Sequence, residues 1–243
     1  MSHTLFISDL HLSDDEPHIT QLLLNFTRDT APQADALYIL GDLFEYWAGD
    51  DDRNTPFHQQ IIAAMRAVSQ QGTPVFIMHG NRDFLMDEEL AQDCNATMLP
   101  DPTVINLYGK ATLLTHGDAL CTDDVQYQAF RKQVRQATWR NNFLSQPLAQ
   151  RKAQIEQLRK MSEDQKQTKA MDIMDVSLAA VEAQFRSSQY PRMIHGHTHR
   201  QKMHLHEVDG HSCERWVLGD WHKTGNALRC DADGCRFDTI DLE

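Results

Sequence analysis

The chain is short of positive charge. Its 243 residues carry 23 Lys and Arg against 35 Asp and Glu, a formal net charge of -12. That deficit works against nonspecific binding to nucleic acid unless a local patch overrides it, so no nucleic-acid partner is expected. Long apolar runs are missing as well: no stretch approaches the roughly 20 residues that a membrane-spanning helix needs. The first residues lack the basic segment and apolar core of a secretory signal. Cysteine is sparse and odd in number, with Cys94, Cys121, Cys213, Cys230 and Cys235 forming no framework of pairs. The expectation is reduced thiols in a cytoplasmic protein. Cys230 and Cys235 flank an Asp-Gly turn and could face each other across a hairpin, but a zinc site there would need more soft ligands within reach. Repeats and low-complexity tracts are absent. The remainder, 41% hydrophobic and 24% charged, is ordinary for a globular protein. The length suits one well-buried domain, though two are possible.

The first half alternates in pattern. Apolar runs at 4–8, 36–40 and 75–79 read as strands. Helical periods separate them, one over 19–28 with Leu22, Leu23 and Phe26 on its apolar face and one over 56–70. Continuous apolar strands joined by helices predict crossovers onto a largely parallel, buried sheet. Two more strands lie in 103–116, joined at Tyr108-Gly109, and 202–241 is β-rich with hairpin turns at Asp209-Gly210 and Asp233-Gly234. Two packed sheets with helices outside fit this order better than one open sheet.

Residues 125–170 stand apart. They hold ten Lys or Arg (Arg131, Lys132, Arg135, Arg140, Arg151, Lys152, Arg159, Lys160, Lys166, Lys169) against three acids (Glu156, Glu163, Asp164), a local +7 that leaves -19 on the rest. The segment is Gln-rich and helical, with Tyr127, Phe130, Val134, Trp139, Phe143 and Leu144 interleaved. It reads as a helical insertion in a domain covering 1–243. Two readings stay open: amphipathic helices packing on the sheet, or a basic, partly apolar binding surface.

Five polar motifs sit at the ends of apolar runs: Asp9-Leu10-His11, Gly41-Asp42, Gly80-Asn81-Arg82-Asp83, His116-Gly117-Asp118 and Gly196-His197-Thr198-His199. Asp9 and His11, two apart, can both turn toward one sheet edge. The carboxylate of Asp42 has two oxygens and can bridge two cations. Asn81 adds a carbonyl oxygen, and His116, His197 and His199 add imidazoles. A lone strand-end His is usually a hydrogen-bonded core residue and a lone Gly-Asp usually a turn. Five such motifs in register point instead to a two-metal site and phosphoester chemistry. Nitrogen and oxygen donors without thiolate suit Mn, Fe, Co or Zn better than Mg or Ca. Asp83 and Asp118 are expected to orient Arg82 and His116 rather than bind metal. His195 is not expected to be a ligand, and His3, His18, His58, His204, His206, His211 and His222 are expected at the surface or in the core.

The ordered motif set, spanning 9–199, resembles the calcineurin-like metallophosphoesterases. That resemblance implies an α/β/β/α sandwich with a dinuclear centre. It would place Asp9, His11, Asp42 and His199 on one metal, and Asp42, Asn81, His116 and His197 on the other. Segments beginning at Phe6, Ala36, Gly80, His116, Ile173 and His195 are similar, over nearly the whole chain, to one lipid A biosynthetic branch of that superfamily. This implies hydrolysis of UDP-2,3-diacylglucosamine, a nucleotide-activated lipid, to UMP and 2,3-diacylglucosamine 1-phosphate. It also implies a peripheral location on the cytoplasmic face of the inner membrane, usually with Mn. Substrate contacts carried over are Asn81, Arg82, Asp124, Ser162, Lys166, Lys169 and His197, with Lys166 standing where the branch carries Asn.

Arg82 fits such a substrate on physical grounds. Many metallophosphoesterases have His at this place, able to protonate a poor alkoxide leaving group. Arginine stays charged and cannot, but it can clamp phosphate oxygens. A pyrophosphate needs no acid, because its leaving group is a stable phosphate anion. The competing reading pairs Arg82 with Asp83. The expected reaction is water attack on the α-phosphorus, with two metals and Asp42 holding the bridging water and the metals, Asn81, Arg82 and His197 offsetting the developing charge. Tyr127, Phe130, Trp139 and Phe143 are candidates for an acyl groove, and the basic residues around them would favour contact with anionic lipid. The alternatives are a metallo-phosphodiesterase or nuclease of the same fold, and a scaffold with a decayed site.

Overall fold

The computed structural model describes residues 2–168 and 175–241, with side chains throughout except over 161–168. In chain order the strands are β1 (Thr4–Ile7), β2 (Ala36–Leu40), β3 (Val75–Met78), β4 (Ala96–Leu99), β5 (Thr103–Leu107), β6 (Lys110–Thr115), β7 (Arg192–His195), β8 (Lys202–Val208), β9 (His211–Val217), β10 (Gly225–Asp231) and β11 (Gly234–Ile240). The helices are α1 (Pro17–Asp29), α2 (Pro56–Gln70), α3 (Glu88–Cys94), α4 (Val125–Val134), α5 (Ala137–Leu144), α6 (Leu148–Thr168) and α7 (Leu178–Ser187). Proline opens α1 and α2, where its missing N–H costs nothing, and the Thr55 hydroxyl accepts from His58 N–H to cap α2.

Two sheets result, ordered β11-β10-β1-β2-β3-β4 and β5-β6-β7-β9-β8. Strands β1 to β4 are parallel, as the continuous apolar runs predict, and the antiparallel hairpin β10–β11 extends that sheet beyond β1. Alternation along each strand serves two cores. Leu5, Ile7, Leu37, Ile39, Val75 and Ile77 turn outward under the helices, with Leu22, Leu23, Phe26, Ile61 and Met65. Phe6, Leu40 and Met78 turn inward to meet Leu114, Ile194 and Leu218 of the second sheet. Helix α7 covers that sheet's other face through Val181 and Phe185. The architecture is thus the expected four-layer α/β/β/α sandwich. Fully burying a Leu, Ile or Phe side chain contributes about 1.5–3 kcal/mol, so these three clusters hold the layers together and fix the strand ends.

The insertion is the helical hairpin set α4–α6, between β6 and β7. Its positive charge is largely taken up in docking. Arg131 pairs with Asp118 at 2.8 Å, Arg140 with Asp87 at 2.7 Å, Lys152 with Asp52 at 2.5 Å and Arg159 with Glu45 at 2.9 Å. Arg151, only 2% exposed, donates to Ala48 carbonyl and Asp51. For these residues the packing reading of the insertion holds. The acyl-groove candidates divide accordingly. Phe143 is buried in the core beneath the helices and stacks on Trp139 at 4.8 Å, so neither is free groove lining. Phe130 stays exposed, as do Val125 and Leu158.

The expectation of five reduced thiols is corrected for one pair. Cys230 and Cys235 sit opposite each other in the β10–β11 register and are joined by a disulfide. Cys94, Cys121 and Cys213 are buried.

Candidate metal centre

All five motifs arrive at one edge, from the C-terminal ends of β1, β2, β3, β6 and β7. The chain must turn sharply there. Asp9, His11, Asp42, His197 and His199 all have positive φ, between 49° and 69°. A side chain in this left-handed region costs of order 1 kcal/mol or more and survives only where surrounding contacts dictate it. Here backbone bonds do so: Asp9 N–H donates to Gly41 carbonyl at 3.1 Å and His11 N–H to Asp42 carbonyl at 3.0 Å. Two glycines admit the carboxylates. A Cβ on Gly80 would stand 2.0 Å from Asp42 Oδ1, and one on Gly196 would stand 2.2 Å from Asp9 Oδ2.

The side chains form two triads able to hold a cation, Asp9 with His11 and His199, and Asp9 with Asp42 and His116. Asp42 Oδ1 accepts from Arg82 N–H at 2.8 Å, which leaves Oδ2 turned toward both triads, 3.8 Å from His11 Nε2 and 3.8 Å from His116 Nε2. Asn81 Oδ1 lies 3.0 Å from His116 Nε2 and 2.7 Å from His197 Nδ1. Asp9 Oδ2 accepts from Ser8 Oγ and His197 N–H, whereas Oδ1 is buried without a hydrogen bond, 3.4 Å from His199 Nε2. An orphaned buried carboxylate oxygen facing imidazoles is what a cation site requires, since such an oxygen is costly without a partner. The donor set of carboxylate, amide and imidazole fits a divalent metal.

Electrostatics carry the same message. Burial works to raise the Asp9 carboxyl, but the surrounding imidazoles hold it well below the usual range. Burial opposes charge on His116, yet Asp42, Asp9 and Asp118 push it up to about 9. His199 reaches about 10 against burial, through Asp220 and Asp9. His197, buried beside His116, falls to about 4. The carboxylates thus draw positive charge onto whichever imidazoles face them.

Around this centre several expectations change. Asp83 does not orient the Arg82 side chain, nor does it pair with it. Its oxygens accept from Gly80 N–H at 2.8 Å, Leu43 N–H at 2.8 Å and Phe44 N–H at 3.3 Å, tying two ligand loops together. Arg82 Nη1 instead approaches Glu45 Oε1 at 3.5 Å. Asp118 does not orient the His116 ring, whose Nδ1 lies 2.9 Å from the Leu40 carbonyl; it acts on His116 through charge alone, and accepts from Arg131 and from Tyr127 Oη at 2.5 Å. Tyr127 therefore belongs to the wall of the centre, its ring stacked on His197 with centroids 6.1 Å apart. His195 lies outside the ligand set, its Nδ1 2.8 Å from Gly196 carbonyl and its Nε2 3.0 Å from Arg215. Asp124 caps α4, accepting from Tyr127 N–H at 3.0 Å. The side chains of Ser162 and Lys166, and the whole of Lys169, lie outside the described residues.

Two residues were missed. Glu45 Oε2 is 2.9 Å from His11 Nδ1, and Asp220 Oδ2 is 3.3 Å from His199 Nδ1. Glu45 carried a signal, three residues beyond Asp42 in the same motif; Asp220 carried none.

Comparison with known proteins agrees with this geometry. The calcineurin-like phosphoesterase family, whose members are metal-dependent hydrolases, matches residues 2–201. A UDP-2,3-diacylglucosamine hydrolase of Aromatoleum aromaticum is 53% identical over 95% of this chain and 94% of its own. One from Xanthomonas axonopodis pv. citri is 50% identical over 98% of this chain and 99% of its own. A crystal structure from Thermus thermophilus, 11% identical, shares the fold with a TM-score of 0.51 over 99% of each chain. The chain belongs to the calcineurin-like phosphoesterases and, within them, to the family of the UDP-2,3-diacylglucosamine hydrolases.

Proposed function

We propose that this protein hydrolyses the pyrophosphate of UDP-2,3-diacylglucosamine in lipid A biosynthesis. Water attacks the α-phosphorus, releasing UMP and 2,3-diacylglucosamine 1-phosphate. The observation that carries the reading is identity of about half over nearly the full length of both chains, which takes in the insertion as well as the motifs. Asp9, His11, Asp42 and His199 would hold one divalent ion, and Asp42, Asn81, His116 and His197 the other; the donors suit Mn, Fe, Co or Zn, and the family resemblance favours Mn2+ among them. Such a pair supplies an activated water and offsets charge on the phosphoryl oxygens.

The chain's own groups do the rest. Arg82, held at the site by its N–H to Asp42, clamps phosphate oxygens without giving up a proton. His197, kept neutral by burial beside His116, keeps a lone pair for an ion and stands where it can help offset charge on the phosphoryl oxygens. The insertion α4–α6 serves as the substrate-binding part, with Asp124, Ser162, Lys166 and Lys169 as contacts to the glucosamine phosphate. Val125, Phe130 and Leu158 expose apolar surface of the kind an acyl chain would cover, at roughly 25 cal/mol per Å² removed from water. No helix among the described residues is long and apolar enough to cross a membrane. Contact with the cytoplasmic face of the inner membrane would be peripheral.

The test is turnover of UDP-2,3-diacylglucosamine with Mn2+ in 18O-labelled water. Label is expected in UMP. Label in the glucosamine phosphate would overturn α-attack. Cleavage of DNA or cyclic nucleotides without UMP release would replace the function by a phosphodiesterase, and equal use of UDP-N-acetylglucosamine would remove the acyl site.

A further inference from the structure

The Glu45 carboxylate stands where three functions meet. Oε2 lies 2.9 Å from His11 Nδ1. Oε1 lies 2.9 Å from Arg159 of α6 and 3.5 Å from Arg82. The site is largely enclosed, with Glu45 at 17% side-chain exposure and Arg82 at 15%. The carboxylate is thus enclosed between one imidazole and two guanidinium groups. The guanidinium of Arg159 also covers the Tyr46 ring, 5.7 Å from its centroid, which fixes where α6 meets the sandwich.

We propose that Glu45 is a positioning residue linking metal binding to substrate grip. One oxygen turns the His11 ring so that Nε2 faces Asp42 and the candidate metal position. The other holds Arg82 toward the phosphate and seats α6 of the insertion through Arg159. A group of this kind orients a metal-binding imidazole from behind, and here the same anion also preorganises a phosphate clamp. The consequence is reciprocity: a cation on His11 and a phosphate on Arg82 stabilise one arrangement of one carboxylate, so each favours the other.

The inference rests on the proposed reaction only for its phosphate half, and the experiment keeps the halves apart. Mn2+ affinity is measured on the metal-stripped protein by electron paramagnetic resonance, and UMP affinity by calorimetry on the Mn-loaded protein, with melting temperature as the fold check. Glu45→Gln keeps the shape and removes the charge. It is expected to weaken Mn2+ roughly 10–100-fold and to weaken UMP as well. Arg159→Ala is expected to weaken UMP while leaving Mn2+ within about threefold, and the double variant to lose less UMP affinity than the two single losses combined. If Glu45→Gln binds Mn2+ and UMP as the parent does, Glu45 is only a packing residue and the inference fails. Additive losses for UMP would overturn the link through α6. If the parent binds Mn2+ but not UMP, the proposed substrate fails while the metal half of the inference is still read.

Discussion

Gly196→Ala tests the metal centre without removing any candidate ligand. Its backbone φ is not in the left-handed region, so the effect is steric. The added Cβ would stand 2.2 Å from Asp9 Oδ2 and 2.3 Å from Ser8 Oγ, well inside van der Waals contact. The serine can rotate away, but the carboxylate has no such freedom: Asp9 is fully buried and Oδ2 holds bonds from Ser8 Oγ at 2.5 Å and His197 N–H at 2.9 Å. Relief means turning the Asp9 carboxylate out of both triads or shifting the loop that carries His197 and His199. Hydrogen bonds to a charged group contribute about 1.5–3 kcal/mol each, so losing both costs about 3–6 kcal/mol. At about 1.4 kcal/mol per factor of ten, even the lower figure is a loss of roughly 100-fold in metal affinity if the fold absorbs none of it. If the fold absorbs it, the cost appears in denaturant unfolding instead. Mn2+ titration and urea unfolding of the variant, measured together, should therefore show a combined loss of at least about 3 kcal/mol. Parental values in both would refute the account of why glycine stands at 196.

Two further outcomes follow from the same geometry. His116→Ala removes a fully buried imidazole shared by the Asp9–Asp42 triad and Asn81, and should lower turnover by at least about 100-fold, in line with loss of a transition-state charge stabiliser; parental kcat would sink the two-metal assignment. The metal-stripped protein should lose stability as pH rises. The His116 imidazole lies at about 9 when folded against an ordinary 6.5, so its contribution, about 3 kcal/mol, is full below pH 6.5 and is lost as pH passes about 9. His199 works in the same direction up to about 10, and the depressed His195 and His197 act only below pH 6.5. A urea midpoint that stays level or climbs between pH 6.5 and 9 would contradict the charge assignments.

The parts of the site legible in the sequence share a property: each ligand type sits directly after a run whose periodicity is local. The run 36–40 places Asp42 at a sheet edge whatever the rest of the chain does, and the Gly before it allows close approach. Arg82 was legible as a departure from histidine, but its partner was not. The neighbour Asp83 looked suitable, yet its oxygens are taken by three backbone N–H groups. The guanidinium therefore reaches Glu45, 37 positions earlier in the chain. The positive φ of five candidate ligands had no mark in the sequence either, because Asp and His there depart from the usual glycine. In the insertion, aromatic spacing did not separate Phe143, which closes a core, from Phe130, which stays exposed.

By itself the chain's sequence determined the candidate ligands, the two-sheet alternation and the basic character of 125–170, since hydrophobic period and charge are properties of neighbouring residues. Tertiary structure alone decided which charges meet. It set the insertion's arginines against the acids of the sandwich, joined Cys230 to Cys235, and put one carboxylate between His11, Arg82 and Arg159. Those choices depend on distances between segments far apart in the chain, and an ion pair or a disulfide follows separation in space rather than separation in sequence.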